Sequence, residues 1–149
     1  LDGTFIATKY AAKIFKNQEY GIINITSSTA GQYGYPNRSP YCAAKWGVIG
    51  LMKTLSMELG SFGIRVNAIC PGAVEGERME RVLARESKVT GLSRDRIYQG
   101  YSVGTSMQTW VEGSDIAEMA VFLSSREARY VSGQIIAVDG HTFNPNPQL

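Results

Sequence analysis

Histidine is almost missing from this chain: His141 stands alone among 149 residues. That excludes a histidine-rich metal site and any triad that needs a second imidazole, so no metal is expected. Cysteine is nearly as scarce. Cys42 and Cys70 are too few for a disulfide scaffold and fit a reducing, cytoplasmic setting. No run approaches the 18 apolar residues that would suggest a transmembrane helix, and no signal-peptide pattern opens the chain. Charge of one sign is not in excess either. Fifteen basic and thirteen acidic side chains give a net +2, which argues against nucleic acid or an anionic membrane as the main partner. What the chain does have is a 44% apolar fraction, enough for a packed core, and sixteen glycines, above the usual share of about 7%.

No repeat, linker or low-complexity tract divides residues 1–149, and the length suits one domain. Phe5, Ile6, Tyr10, Ala11, Ile14 and Phe15 recur at a 3.6-residue period and predict a helix over Thr4–Lys16. Gly21–Ser27 is short, β-branched and apolar, as a buried strand should be. From Tyr41 to Leu59 the helical period returns, with Val48, Leu51, Met52, Leu55 and Leu59 on one face. Ala43, Ala44, Gly47 and Gly50 crowd another, and Gly60 and Gly63 close the helix. Ile64–Cys70 reads as a second strand stopped by Pro71-Gly72. Met79–Lys88 and Arg94–Tyr101 are weakly helical. Ser114 is the expected N-cap of a helix through Leu123, with Ile116, Ala120, Phe122 and Leu123 facing inward. Gln134–Val138 is a third strand, and residues 144–149 read as a loose tail. Strands separated by helices, with no hairpin signal, imply a parallel α/β sheet.

Tyr41 and Lys45 lie one helical turn apart and share a face. A free tyrosine, with a pKa near 10, is a poor base at neutral pH, but a neighbouring ammonium favours the phenolate. Such a pair facing a cleft can act as a tuned acid and base. Taken alone the spacing is common and also describes any exposed helical pair. Its context is more specific. Ser28 lies thirteen residues before Tyr41, just past the end of a buried strand. Ligands of doubly wound proteins bind off such carboxyl ends.

The stretches GIINITSSTAG, YCAAKWGVIGLMKTLSMELG, GIRVNAICPG and VSGQIIAVDG, in that order, resemble the short-chain dehydrogenase/reductase family. The likeness is to its compact single-domain subgroup, which includes 3-oxoacyl-carrier-protein reductases. The resemblance implies the C-terminal part of a Rossmann-type, doubly wound parallel sheet in three α/β/α layers. It implies an NAD- or NADP-dependent oxidoreductase that interconverts a carbonyl and a secondary alcohol. Tyr41 would be the acid/base and Lys45 would tune it and bind the nicotinamide ribose. Ser28, with Ser27 as the adjacent alternative, would hold the substrate oxygen. Pro71, Gly72, Ala73 and Val74 match the turn that receives the nicotinamide end. Residues 79–101 fall where the family carries a substrate lid. Trp46 and the small-residue face of its helix would pack across a subunit interface, giving a homodimer or homotetramer.

Three departures qualify this. Gly76 stands where the family usually has a threonine near the cofactor, leaving backbone N–H groups as the expected contact. Asp139-Gly140-His141 replaces a common Asp-Gly-Gly, and His141 is expected as a solvated or capping residue. The family's phosphate-binding glycine loop, TGxxxGxG, is not found, nor is the residue that distinguishes NAD from NADP. The expectation is therefore the catalytic part of an enzyme of roughly 250 residues, cut off from its cofactor half. Two alternatives are a non-catalytic binding or scaffolding relative and a nucleotide-sugar epimerase or dehydratase using the same Tyr/Lys pair. Neither substrate nor reaction direction is encoded in these motifs.

Overall fold

A computed structural model describes residues 1–145. The elements run α1 (Asp2–Gln18), β1 (Gly21–Thr26), a 3-10 turn (Thr29–Gly31), α2 (Ser39–Leu59) and a second 3-10 turn (Gly60–Phe62). They continue with β2 (Ile64–Pro71), α3 (Glu77–Thr90), α4 (Arg94–Val103), α5 (Gly113–Ser124) and β3 (Ile135–Val138). The strands form one parallel sheet ordered β1-β2-β3, with Gly21 opposite Ile64 and Ala68 opposite Ile135.

Side chains alternate across a strand, so each strand feeds two layers. On one face Ile23, Ile25, Ile64, Val66 and Ala68 meet Ala12 of α1 and Val48, Met52 and Leu59 of α2. On the other, Asn24 donates to Ser124 Oγ of α5 at 3.0 Å, and Asn67 donates to Val131 O at 2.9 Å and accepts from Gln134 N at 3.0 Å. Helices on both faces make the expected α/β/α arrangement. Met52, Leu59 and Val66 are sealed from solvent, and burial of each contributes about 1.5–3 kcal/mol.

The structure corrects several local expectations. The apolar period of α1 is real, but Phe5, Ile6, Tyr10 and Ile14 face outward at 53–63% exposure, and Thr8 and Ala12 meet the sheet. In α2, Ile49 is buried while Leu51 is only half-buried, and Ala43 and Gly50 are exposed. The αL residue that ends this helical stretch is Gly63, at φ +69°; Gly60 stays right-handed. Helix α5 is capped by Glu112 rather than Ser114: the Glu112 N–H donates to Asp115 Oδ2 at 2.7 Å, and Ser114 Oγ donates to Glu112. Phe122 is exposed and Leu123 buried. Within the tail reading, Asn144 donates its N–H to Gly104 O at 3.1 Å; residues 146–149 lie outside the described residues. Among the described residues no helix is long and apolar enough to cross a membrane.

Candidate active site

Strand β1 delivers Ser27 and Ser28 to the carboxyl edge of the sheet, where they behave differently. Ser27 is buried and its hydroxyl donates to Lys45 O at 3.0 Å. Ser28 caps the first 3-10 turn, its Oγ accepting from Ala30 N at 3.1 Å. That acceptance leaves the Ser28 hydroxyl proton free to point elsewhere. Helix α2 enters through Pro40 in its first turn, a position that needs no N–H. Tyr41 and Lys45 follow one turn apart. Lys45 Nζ lies 5.7 Å from the Tyr41 ring centroid and donates to Thr26 O at 3.0 Å.

Strand β2 ends beside them. A Cβ at Gly72 would sit 2.8 Å from Asp139 Cβ and 2.9 Å from Asp139 Cα, so only glycine lets the two strand ends approach this closely. Asp139 in turn accepts from the N–H groups of His141 at 3.0 Å and Thr142 at 3.1 Å. The chain then runs through Val74, which bridges to Val111.

These elements enclose a cleft of about 650 Å³. Ser27, Ser28, Tyr41, Lys45 and Pro71 to Val74 all line it, so the residues singled out from the sequence meet in one cavity. Met79, Val82 and Tyr101 of the expected lid segment also line it. Gly76 lines it too, at φ +136°, where a side chain would be strained. His141 does not. Its Nδ1 lies 2.6 Å from Ser106 Oγ, and its φ of +63° marks a tight turn after β3. Trp110 stands behind the cleft wall, stacked on Tyr98 with centroids 4.4 Å apart.

Sequence reasoning missed Tyr35, Arg38, Thr142 and Asn144, which line the cleft as well, as do Thr29 and Arg78. Tyr35 Oη lies 2.8 Å from Thr29 Oγ1, and burial pushes its phenol up. Burial also pushes up the phenol of Tyr101, with the Glu86 carboxylate adding to it, and raises the thiol of Cys70. Among the described residues no cluster of His, Cys, Asp and Glu could hold a metal ion.

A parallel α/β/α sheet with Ser, Tyr and Lys converging at its carboxyl edge defines a Rossmann-type protein. The family profile described as Enoyl-(Acyl carrier protein) reductase matches residues 1–141. The chain belongs to the short-chain dehydrogenase/reductase family. It is 38% identical to an "Inactive 2-(S)-hydroxypropyl-CoM dehydrogenase 2" of Xanthobacter autotrophicus, over 93% of this chain and 58% of that protein. It is 36% identical to the 3-oxoacyl-[acyl-carrier-protein] reductase FabG of Thermotoga maritima, over 94% and 52%. Among solved structures it resembles NAD+-bound xylitol dehydrogenase, with TM-score 0.88, 28% identity and coverage of 94% and 56%. It also resembles ElxO with NADP bound, with TM-score 0.78, 30% identity and coverage of 93% and 52%. The chain spans about half the length of the curated relatives it matches.

Proposed function

We propose that the polypeptide carrying this chain is an NAD(P)-dependent oxidoreductase that interconverts a carbonyl and a secondary alcohol. The convergence of Ser28, Tyr41 and Lys45 on one cleft is the observation that carries this reading. The donor set fits the nicotinamide end of the cofactor. Among the described residues the Tyr41 hydroxyl has no protein partner and the Ser28 proton no acceptor, and Lys45 spends one N–H on Thr26 O. The Pro71–Val74 turn brings backbone into the same space. Solved relatives carry NAD+ in one case and NADP in another, and this chain holds nothing that chooses between them.

The cofactor supplies or accepts the hydride; this chain's residues handle the proton and the charge. Ser28 Oγ–H donates to the substrate oxygen and stabilises the negative charge that develops there. Tyr41 Oη–H protonates that oxygen in reduction and receives the proton back in oxidation. Lys45 is fixed beside the Tyr41 ring, and its remaining N–H groups suit a ribose hydroxyl. The segment 79–101 is the substrate lid. The outward stripe Phe5, Ile6, Tyr10 and Ile14, together with Trp46 of α2, is the surface for a second copy.

In the full-length protein, Tyr41→Phe is expected to lower turnover by about 10²–10⁴-fold, the range for removing a general acid. Nicotinamide binding, followed by quenching of protein fluorescence, should remain. Unchanged turnover would reject the assignment. A second reading, a non-catalytic family member, draws on the Xanthobacter relative, which is named inactive. Full-length protein that binds neither NADH nor NADPH would favour it.

A further inference from the structure

Arg38 occupies the N-cap of α2, three residues before Tyr41, and its carbonyl accepts the first helical bond, from Cys42 N at 2.9 Å. Its side chain leaves the helix and crosses to the other wall of the cleft. There Nη2 bonds the Glu86 carboxylate of α3 and donates to Tyr101 Oη of α4 at 2.8 Å. Tyr101 Oη–H lies 2.9 and 3.1 Å from the two Glu86 oxygens. The three groups thus form a closed triangle through Arg38 Nη2, Tyr101 Oη and the Glu86 carboxylate. Arg38 and Glu86 keep only about a third of their side-chain surface, 32% and 30%. A partly buried, charge-assisted network of this kind holds geometry better than an exposed pair does.

The other ion pairs among the described residues, Arg94 with Glu80 and with Asp95, stay within the α3–α4 segment and are exposed. Arg38–Glu86 is the one that ties this segment to the rest of the fold. Behind the triangle, the Trp110 ring stacks on Tyr98 at an interplanar angle of 9° and tilts against Tyr101 at 5.4 Å. Its Nε1 donates to Tyr98 O at 3.1 Å. Arg38 and Tyr101 face the cleft, so their spacing sets its width next to Tyr41.

We infer that Arg38, Glu86 and Tyr101 form a latch that positions the α3–α4 segment against the start of the catalytic helix. It fixes the width of the substrate cleft and so governs substrate affinity. This rests on the reading that substrate binds in that cleft. The three act through the wall they hold, as positioning residues.

The test uses full-length protein in which every tryptophan other than Trp110, Trp46 among them, is replaced by phenylalanine, so that Trp110 alone reports on the segment. Glu86→Gln and Arg38→Met should raise the acrylamide quenching of Trp110 about twofold. They should also raise KM about tenfold while kcat changes less than about threefold, the pattern of lost substrate binding. Tyr101→Phe keeps the ring and removes only the hydroxyl; it should show the same direction if the stronger variants fold poorly. Arg38→Lys should restore part of the affinity lost in Arg38→Met. Variants that lower thermal stability yet leave Trp110 quenching and KM unchanged would overturn the latch. Should the protein prove to have no turnover at all, the oxidoreductase reading falls, and Trp110 quenching alone still decides whether the triangle holds the segment.

Discussion

Gly31→Ala tests the packing beneath the site directly. A Cβ at Gly31 would stand 2.6 Å from Ser27 Oγ, 2.8 Å from Ile49 Cδ1 and 2.9 Å from Lys45 O. The isoleucine methyl can move, and the serine can rotate. The carbonyl cannot, because it belongs to the backbone of α2. Rotating Ser27 also gives up its 3.0 Å bond to that carbonyl. Overpacking costs about 1–3 kcal/mol and the lost hydrogen bond about 1 kcal/mol, for a total of about 2–4 kcal/mol. With a urea dependence of about 1–3 kcal/mol/M, the unfolding midpoint should fall by about 0.7–4 M. Gly34→Ala is the control. Gly34 has open space around it and no positive φ, so alanine there should be within about 0.5 kcal/mol of the parent or slightly better. Urea titrations followed by circular dichroism on both full-length variants decide the matter. Coincident midpoints would refute the idea that the first 3-10 turn is pressed against α2.

Two further expectations concern the surface and the buried phenols. Replacing Ile6 and Tyr10, 55% and 63% exposed, with lysine should shift sedimentation toward a smaller species with little loss of monomer stability; an unchanged oligomer would clear α1 of that role. The phenols of Tyr35 and Tyr101 sit above their ordinary value in the fold, chiefly through burial. Their contribution to stability is complete below the unfolded tyrosine value of about 10. Above it the unfolded chain loses its protons first, and stability declines as pH rises through the folded values. Tyr101→Phe should make that alkaline decline shallower in denaturant titrations, and an identical slope would contradict it.

The order of elements was legible from the sequence because each strand is short, β-branched and bounded by turn residues, and each long helix keeps its period. What periodicity could not report was the destination of a face. The period of α1 marked a helix, but of its apolar stripe only Ala11 and Phe15 pack against the core, beside Ala12, while Phe5, Ile6, Tyr10 and Ile14 stay exposed. Asn24 and Asn67 sat inside apparently apolar strands; their roles, holding α5 and the loop before β3, depend on partners 100 and 67 residues away. The gathering of the candidate residues in one cleft was easier to read. Tyr41 and Lys45 are local neighbours on one helix, and Ser28 lies just past the strand before it. The latch was illegible for the opposite reason. Arg38 finds Glu86 and Tyr101 across 48 and 63 residues of chain, and no spacing rule connects a loop arginine to those positions.

Lys45 is fastened at both ends. Its backbone carbonyl accepts from Ser27 Oγ and its ammonium donates to Thr26 O, so two consecutive residues at the end of β1 grip the same lysine from opposite directions. A free lysine side chain carries about 2 kcal/mol of rotamer entropy, and a ligand that had to still it would bind correspondingly more weakly. Here that freedom is surrendered when the chain folds. A ligand bound there as proposed would meet a charge that is already at rest.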